Sequence, residues 1–127
     1  GRDAGDGVLM LREGKFFLDW NIEASEKTID AIVRMHETLA KKTGGIPLVP
    51  LTWTVGRDLI TPHPLGGCNM GTTPANGVVD HRGEVFGYKN LYVVDGSIVP
   101  KALGHNPSKT IAALAERIAG IIVEEGW

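Results

Sequence analysis

The segment Thr61-Pro62-His63-Pro64-Leu65-Gly66-Gly67-Cys68-Asn69-Met70-Gly71 gathers more chemistry than any other stretch of this sequence. Prolines on either side fix the backbone at His63, and the paired glycines that follow admit a close neighbour. A rigidly held imidazole suits a general base or a hydrogen-bond donor, because histidine titrates near neutrality. A loop histidine tied to a backbone carbonyl accounts for the same pattern. A second candidate is Gly104-His105-Asn106-Pro107-Ser108, where a glycine-bearing loop opens a helix. First-turn N–H groups without intrahelical partners, plus the positive end of the macrodipole, suit an anion or an electron-rich ring oxygen. A capped helix that binds nothing is the plainer alternative. Asp95-Gly96 is the third candidate. A carboxylate at the end of a buried strand suits ligand hydroxyls, while Asp-Gly is also a common turn.

Other chemistries find less support. Gly66-Gly67-Cys68-Asn69-Met70-Gly71 departs from G-x-G-x-x-G at its third position, and no helical pattern follows it. Neither a dinucleotide fingerprint nor a Walker-type loop occurs elsewhere. His63, Cys68, His81 and His105 are potential zinc ligands, but without CxxC or HxxxH spacing, so the expected metal complement is none. Cys68 with His63 or His105 as base would make a thiol nucleophile. A solitary cysteine is more often a small buried hydrophobe.

These candidates need elements to hold them. Residues 1–7 are polar and glycine-rich, without an initiator Met, and read as a loop or a severed end. Val8-Leu9-Met10-Leu11 and Phe16-Phe17-Leu18-Asp19-Trp20, separated by a glycine-containing four-residue link, predict a β-hairpin. From about Ala24 to Lys42 the period turns helical. Ile29, Ile32, Val33, His36, Leu39 and Ala40 make one stripe, Asn21 or Ser25 can cap its start, and Gly44-Gly45 stops it. Residues 45–87 are rich in Pro and Gly, and only short strands fit, over Leu51 to Val55 and Val78 to Val79. A stretch so long and irregular is more often functional than accidental. Asn90 to Val94 reads as a strand buried on both faces. Asn106 as cap and Pro107 in the first helical position then open a helix running to about Glu125. Its apolar residues cover more than one face, so burial on several sides is expected.

Composition bounds the function classes. The chain has 127 residues, 43% of them apolar, and a formal charge of −2, which fits a soluble globular chain rather than a disordered one. The near-balanced charge supplies no polybasic field for nucleic acid. No apolar run reaches the ~18 residues of a membrane span, and the opening residues lack a signal-peptide profile. A soluble protein, cytoplasmic or secreted, is expected, with the single Cys deciding nothing between them. Glycine, 17 of 127 residues, is nearly double its usual share of about 7%, which points to tight turns and close backbone approaches.

Three blocks together resemble the end of the glucose–methanol–choline (GMC) family of FAD-dependent oxidoreductases, within it the bacterial cholesterol oxidase branch. They are residues Thr61 to Cys68, Gly87 to Ser97, and Asn106-Pro107-Ser108 with Thr110-Ile111 and Ala113 to Arg117. Their order and spacing over about residues 61–122 make the match specific, whereas residues 1–60 match loosely. The resemblance implies an α/β fragment: residues 1–60 part of an antiparallel-sheet substrate-binding domain, and 61–127 the C-terminal part of a Rossmann-like FAD-binding domain. It implies that His63 is the active-site histidine facing the substrate hydroxyl, and that Asn106 is the second active-site residue, beside the isoalloxazine. Asp95 and Gly96 correspond to the pair contacting the cofactor's sugar-alcohol chain and phosphate region. Asn106, Pro107 and Ser108 would bring the helix start to the ring, with the Ser108 backbone at its pyrimidine oxygen, where preorganised dipoles stabilise developing charge.

The expected activity is hydride transfer from a secondary alcohol, such as a 3β-hydroxysteroid, to FAD. Partners would be that small-molecule alcohol or sterol and an N-terminal FAD-binding part of the same protein, because the family's nucleotide fingerprint is absent here. The isomerising carboxylate of the cholesterol oxidases is also absent, and Ser108 stands where an aromatic is expected in them. This chain alone is expected to be inactive. Two other classes stay open: a non-catalytic α/β interaction module derived from that family, and a thiol enzyme using Cys68.

Overall fold

The computed structural model describes residues 1–56 and 60–125. Residues 57–59, just ahead of the expected division at 60/61, and residues 126–127 lie outside the described residues. The architecture is α/β: a two-stranded antiparallel hairpin, β1 (Val8–Arg12) and β2 (Lys15–Asp19), and two long helices, α1 (Glu26–Thr43) and α2 (Ser108–Glu125), joined by short turns and loops.

The hairpin forms where aromatic and aliphatic residues were expected to place it. Its register pairs Met10 with Phe17 and Arg12 with Lys15. The link therefore shortens to the two residues Glu13 and Gly14, with φ of 50° and 74°. Two positive φ values are the signature of the type I′ turn, whose twist matches that of the flanking strands. Arg12 lies 4.5 Å from the centroid of the Phe17 ring, adding a cation–π contact.

A turn of 3₁₀ helix, Ile22–Ser25, leads into α1. Asn21 caps that turn, its side chain accepting the Glu23 N–H at 3.0 Å. Ser25, the other expected cap, instead accepts the Ala4 N–H at 3.0 Å through its buried Oγ. At the other end the chain turns left-handed at Gly44, and the Gly45 N–H returns to Ala40 O at 2.9 Å. The apolar stripe of α1 is formed but not covered: Ile29, Ile32, Val33 and Ala40 are half-buried, and His36 and Leu39 are exposed. The hairpin packs chiefly within itself, and α1 chiefly on the turn before it.

The main core cluster belongs to the second half of the chain, while Trp53 is buried outside it. Val79, Ile98, Val99 and Ile118 are buried together, with Leu65, Met70, Val85, Val93, Leu114 and Ile122 among the residues packed around them. α2 is held to this core by its Ile118 face. Its flank is fastened by Arg117, which donates to His81 O at 2.5 Å, and by an ion pair between Arg82 and Glu125.

Four expectations are corrected. Leu51 to Val55 is not a strand: Thr52–Gly56 forms a turn of π helix, with the Trp53 and Thr54 N–H groups both reaching Pro50 O. An extended segment with no neighbour leaves its N–H groups unpaired, and closing the chain locally satisfies them. Val78 to Val79 and Asn90 to Val94 also stay short of strands. They join through single bridges, Met70 with Val79, Val79 with Val85, and Glu84 with Tyr92. Leu91 is half exposed, so the apolar run is not buried on both faces. α2, finally, is covered on one side only. Ile118 is buried, but Ala112, Ala113, Ala119 and Val123 face solvent.

Candidate functional site

The segment after His63 is laid alongside the turn after Asp95 by backbone bonds. The Cys68 N–H donates to Ser97 O at 3.1 Å, and the Met70 N–H to Ile98 O at 2.9 Å. Gly66 and Gly67, with φ of 84° and 104°, supply the left-handed kink that lets the chain leave His63 and enter this pairing. Gly96 meets the same segment from the other side. A Cβ there would come within 3.0 Å of Pro64 O, 3.1 Å of Ile111 Cδ1 and 3.2 Å of Leu65 Cδ2. The close approach of three separate segments thus depends on a residue without a side chain.

Their junction leaves an open cleft of about 350 Å³. Pro62, His63, Pro64 and Gly66 form one wall, Asp95, Gly96 and Ser97 the other, and Ile111 of α2 contributes an apolar patch. Of the expected site residues, His63, Asp95 and Gly96 are brought together here. Asn106, Pro107 and Ser108 do not line the cleft; they start α2, the helix that reaches it through Ile111. A second hollow, of about 300 Å³, lies between Asp80 and the turn carrying Phe86 and Tyr88, and shares no residue with the first.

His63 is half-buried and makes no hydrogen bond among the described residues, so the carbonyl-tethered alternative is not what this structure shows. Asp95 is exposed and tightly organised. Its Oδ1 accepts from the Ser97 N–H at 2.8 Å and from Ser97 Oγ at 2.5 Å. The Ser97 hydroxyl first, and its N–H second, hold the Asp95 carboxyl below the usual carboxylate range, opposed by slight burial. The start of α2 has the expected cap: Asn106 Oδ1 accepts the Ser108 N–H at 3.0 Å, and the Ile111 N–H bonds Pro107 O at 2.9 Å. Capping occupies the Ser108 N–H. It also fixes Asn106 so that its amide nitrogen is the end left free to donate.

Sequence reasoning passed over Ser97 and Ile111, which line the cleft, and Asn69, whose buried Oδ1 has no partner among the described residues and sits 3.5 Å from where a Gly66 Cβ would be. The Asp-Gly-Ser run was a readable signal for Ser97, since a serine two residues after an aspartate can bond back to it. Nothing in the sequence marked Ile111 or Asn69 apart from their neighbours. Among the described residues no group of three His, Cys, Asp or Glu side chains converges as metal ligands do, and no helix is long and apolar enough to cross a membrane.

The cleft's donor set fits the cofactor that the resemblance implies. An imidazole, a carboxylate with one oxygen spoken for, and an apolar side chain can serve a hydroxyl-bearing chain attached to a flat ring. The family model for GMC oxidoreductases matches residues 13–115. A cholesterol oxidase of Acinetobacter baumannii is 48% identical over 86 residues, which is 68% of this chain and 16% of that protein. A long-chain-alcohol oxidase of Arabidopsis thaliana is 34% identical over 102 residues, 80% of this chain and 12% of that protein. An alcohol dehydrogenase of Pseudomonas putida is 43% identical over 63 residues, half of this chain and 11% of that protein. The stretch in common is thus a small part of each relative.

Proposed function

The chain belongs to the GMC oxidoreductase family, and from that premise we propose that it forms the histidine-bearing side of the active site in a flavin-dependent alcohol oxidase or dehydrogenase. The observation that carries this reading is the convergence of His63 with Asp95 and Gly96 in one cleft beside α2. These residues come from segments more than thirty positions apart.

FAD, when bound, supplies the hydride acceptor. The residues of this chain supply orientation and proton handling. An imidazole nitrogen of His63 accepts a hydrogen bond from the substrate hydroxyl and takes its proton as the carbinol hydrogen leaves. The prolines on either side hold the ring in place, so that little reorganisation accompanies the transfer. The free carboxylate oxygen of Asp95 would accept from hydroxyls of the cofactor's sugar-alcohol chain. Asn106, anchored through Oδ1, directs its amide nitrogen as a donor, and the α2 N-terminus favours negative charge near it.

The substrate proposed is a secondary alcohol, a 3β-hydroxysteroid being the preferred class. Similarity to the Acinetobacter cholesterol oxidase supports it. The nucleotide half of FAD is proposed to bind a further part of the same protein, since the sequence holds no phosphate-cradling glycine fingerprint. On this reading residues 1–60 belong to the substrate-binding region and 61–127 to the FAD-binding domain. Support comes from the core, whose buried and flanking residues run from Leu65 to Ile122.

The test is spectroscopic. The complete protein should carry flavin absorbance that bleaches anaerobically on adding cholesterol or a simpler secondary alcohol. A colourless protein that takes up no FAD and oxidises none of these alcohols would falsify the proposal.

A further inference from the structure

Ser97 is the residue through which the histidine segment and the Asp95 carboxylate are tied to each other. Its carbonyl oxygen accepts from the Cys68 N–H at 3.1 Å. Its N–H and hydroxyl both donate to a single oxygen, Asp95 Oδ1, at 2.8 and 2.5 Å. Among the described residues no donor reaches Oδ2. We infer that Ser97 is a positioning residue that locks the Asp95 carboxylate with Oδ2 turned to a polyol, giving this wall of the cleft its selectivity for the hydroxyl-bearing chain of a flavin. The inference rests on the flavin reading above and adds to it which atoms select which part of the ligand.

The chemistry of selection follows from the charge. An ionised carboxylate only accepts hydrogen bonds, so it favours hydroxyl donors and repels a phosphate oxygen, which is itself an anionic acceptor. Two donors on Oδ1 favour the charged form and hold the side chain in one rotamer, so less freedom is lost when a hydroxyl docks on Oδ2. Asp95 therefore serves the polyol rather than the phosphate region. His63 is the other titratable side chain lining the cleft, and Ile111 brings no charge from α2.

The experiment uses the complete flavoprotein stripped of cofactor, with FAD, riboflavin and lumiflavin (which lacks the polyol chain) as probes and fluorescence quenching as the readout. Ser97→Ala keeps the backbone N–H and removes the hydroxyl. It should weaken FAD and riboflavin about 10-fold, the scale of one hydrogen bond to a charged group, and leave lumiflavin unchanged. Ser97→Thr should restore the affinity. Because its partners depress the Asp95 pKa, polyol binding is complete above that pKa and is lost as pH falls through it. In Ser97→Ala the loss should begin at higher pH. An equal loss for lumiflavin, or no loss for riboflavin, would overturn the inference while leaving the flavin reading intact. A wild-type protein that binds none of the three probes would overturn both.

Discussion

His63 and Asn106 differ in how their side chains are spent, and that difference sets what their replacement should do. His63 has no hydrogen-bond partner among the described residues, so its removal strands no buried group. His63→Gln should therefore leave the melting temperature and FAD affinity near wild type, while the anaerobic rate of flavin bleaching by alcohol falls about 10²- to 10⁴-fold, the contribution of a positioned acid–base group. A loss of less than threefold in a stopped-flow trace would remove His63 from the proton transfer. Asn106 is already committed as a helix cap. Asn106→Ala should cost about 1 kcal/mol of stability by urea denaturation, whereas Asn106→Asp keeps an acceptor on the Ser108 N–H and adds a favourable charge at the helix start. If Asn106→Asp retains stability yet changes the flavin spectrum or its bleaching rate, cap and amide donor are separate duties. The place of His63 in a fixed loop and of Asn106 as a cap were legible because their neighbours are restrictive: Pro62 and Pro64 around one, Pro107 after the other. Ser97 and Asn69 were not legible, because what singles them out is a bond or a missing bond across a fold.

At the scale of elements, side chains of α2 come close to the rest of the fold at two glycines, Ile118 at Gly83 in the core and Ile111 at Gly96 in the cleft wall. Gly83 has φ of 76°, and a Cβ there would lie 2.9 Å from both Val93 O and Ile118 Cδ1. Gly83→Ala thus combines backbone strain with overpacking and should destabilise by about 2–4 kcal/mol, more than Ile118→Val at about 1 kcal/mol. Gly96→Ala is milder in backbone terms but pushes on Pro64, Leu65 and Ile111 together. It should lower FAD affinity as well as the denaturation midpoint, while Gly83→Ala, remote from the cleft lining, should lower chiefly the midpoint. Equal loss of affinity in both would mean that the cleft wall is not a separate mechanical unit. The hairpin and both helices could be read from local signals: a glycine-bearing link, a stripe at helical spacing, an Asn-Pro start. The strands expected at Leu51 to Val55 and Asn90 to Val94 could not, since an apolar run predicts burial but a strand exists only through its neighbour. Glu84 and Tyr92 make one bridge, too few for a ladder.

For the molecule as a whole, the division of apolar surface is the dominant fact. Residues around the cleft share one core, whereas Phe16, Ile46, Leu48 and Val55 are 81–91% exposed, and the aliphatic residues of β1 are mostly uncovered. Burial of apolar area drives folding at about 25 cal/mol per Å², so an element that buries little has little to hold it beyond its own hydrogen bonds. A lone two-stranded hairpin is marginal in water, and an 18-residue helix with no buried residue is near the limit of independent stability. In the isolated 127-residue chain, backbone amides of β1, β2 and α1 should exchange with solvent within seconds to minutes. Those of α2 near Ile118 and of residues 79–85 should persist at least tenfold longer, because they open only when the core opens. Limited proteolysis should cut first within residues 44–56, where Pro- and Gly-rich chain is exposed. The opposite pattern, with α1 as slow to exchange as α2, would show that the stripe of Ile29, Ile32 and Val33 is covered in solution by contacts this fold does not contain. In the complete flavoprotein that coverage is expected, and α1 should then slow to the rate of α2. A hairpin and helix that exchange rapidly in the complete protein as well would sink the assignment of residues 1–60 to a packed substrate-binding region, and leave the cleft at His63 as the part of the chain with a defined role.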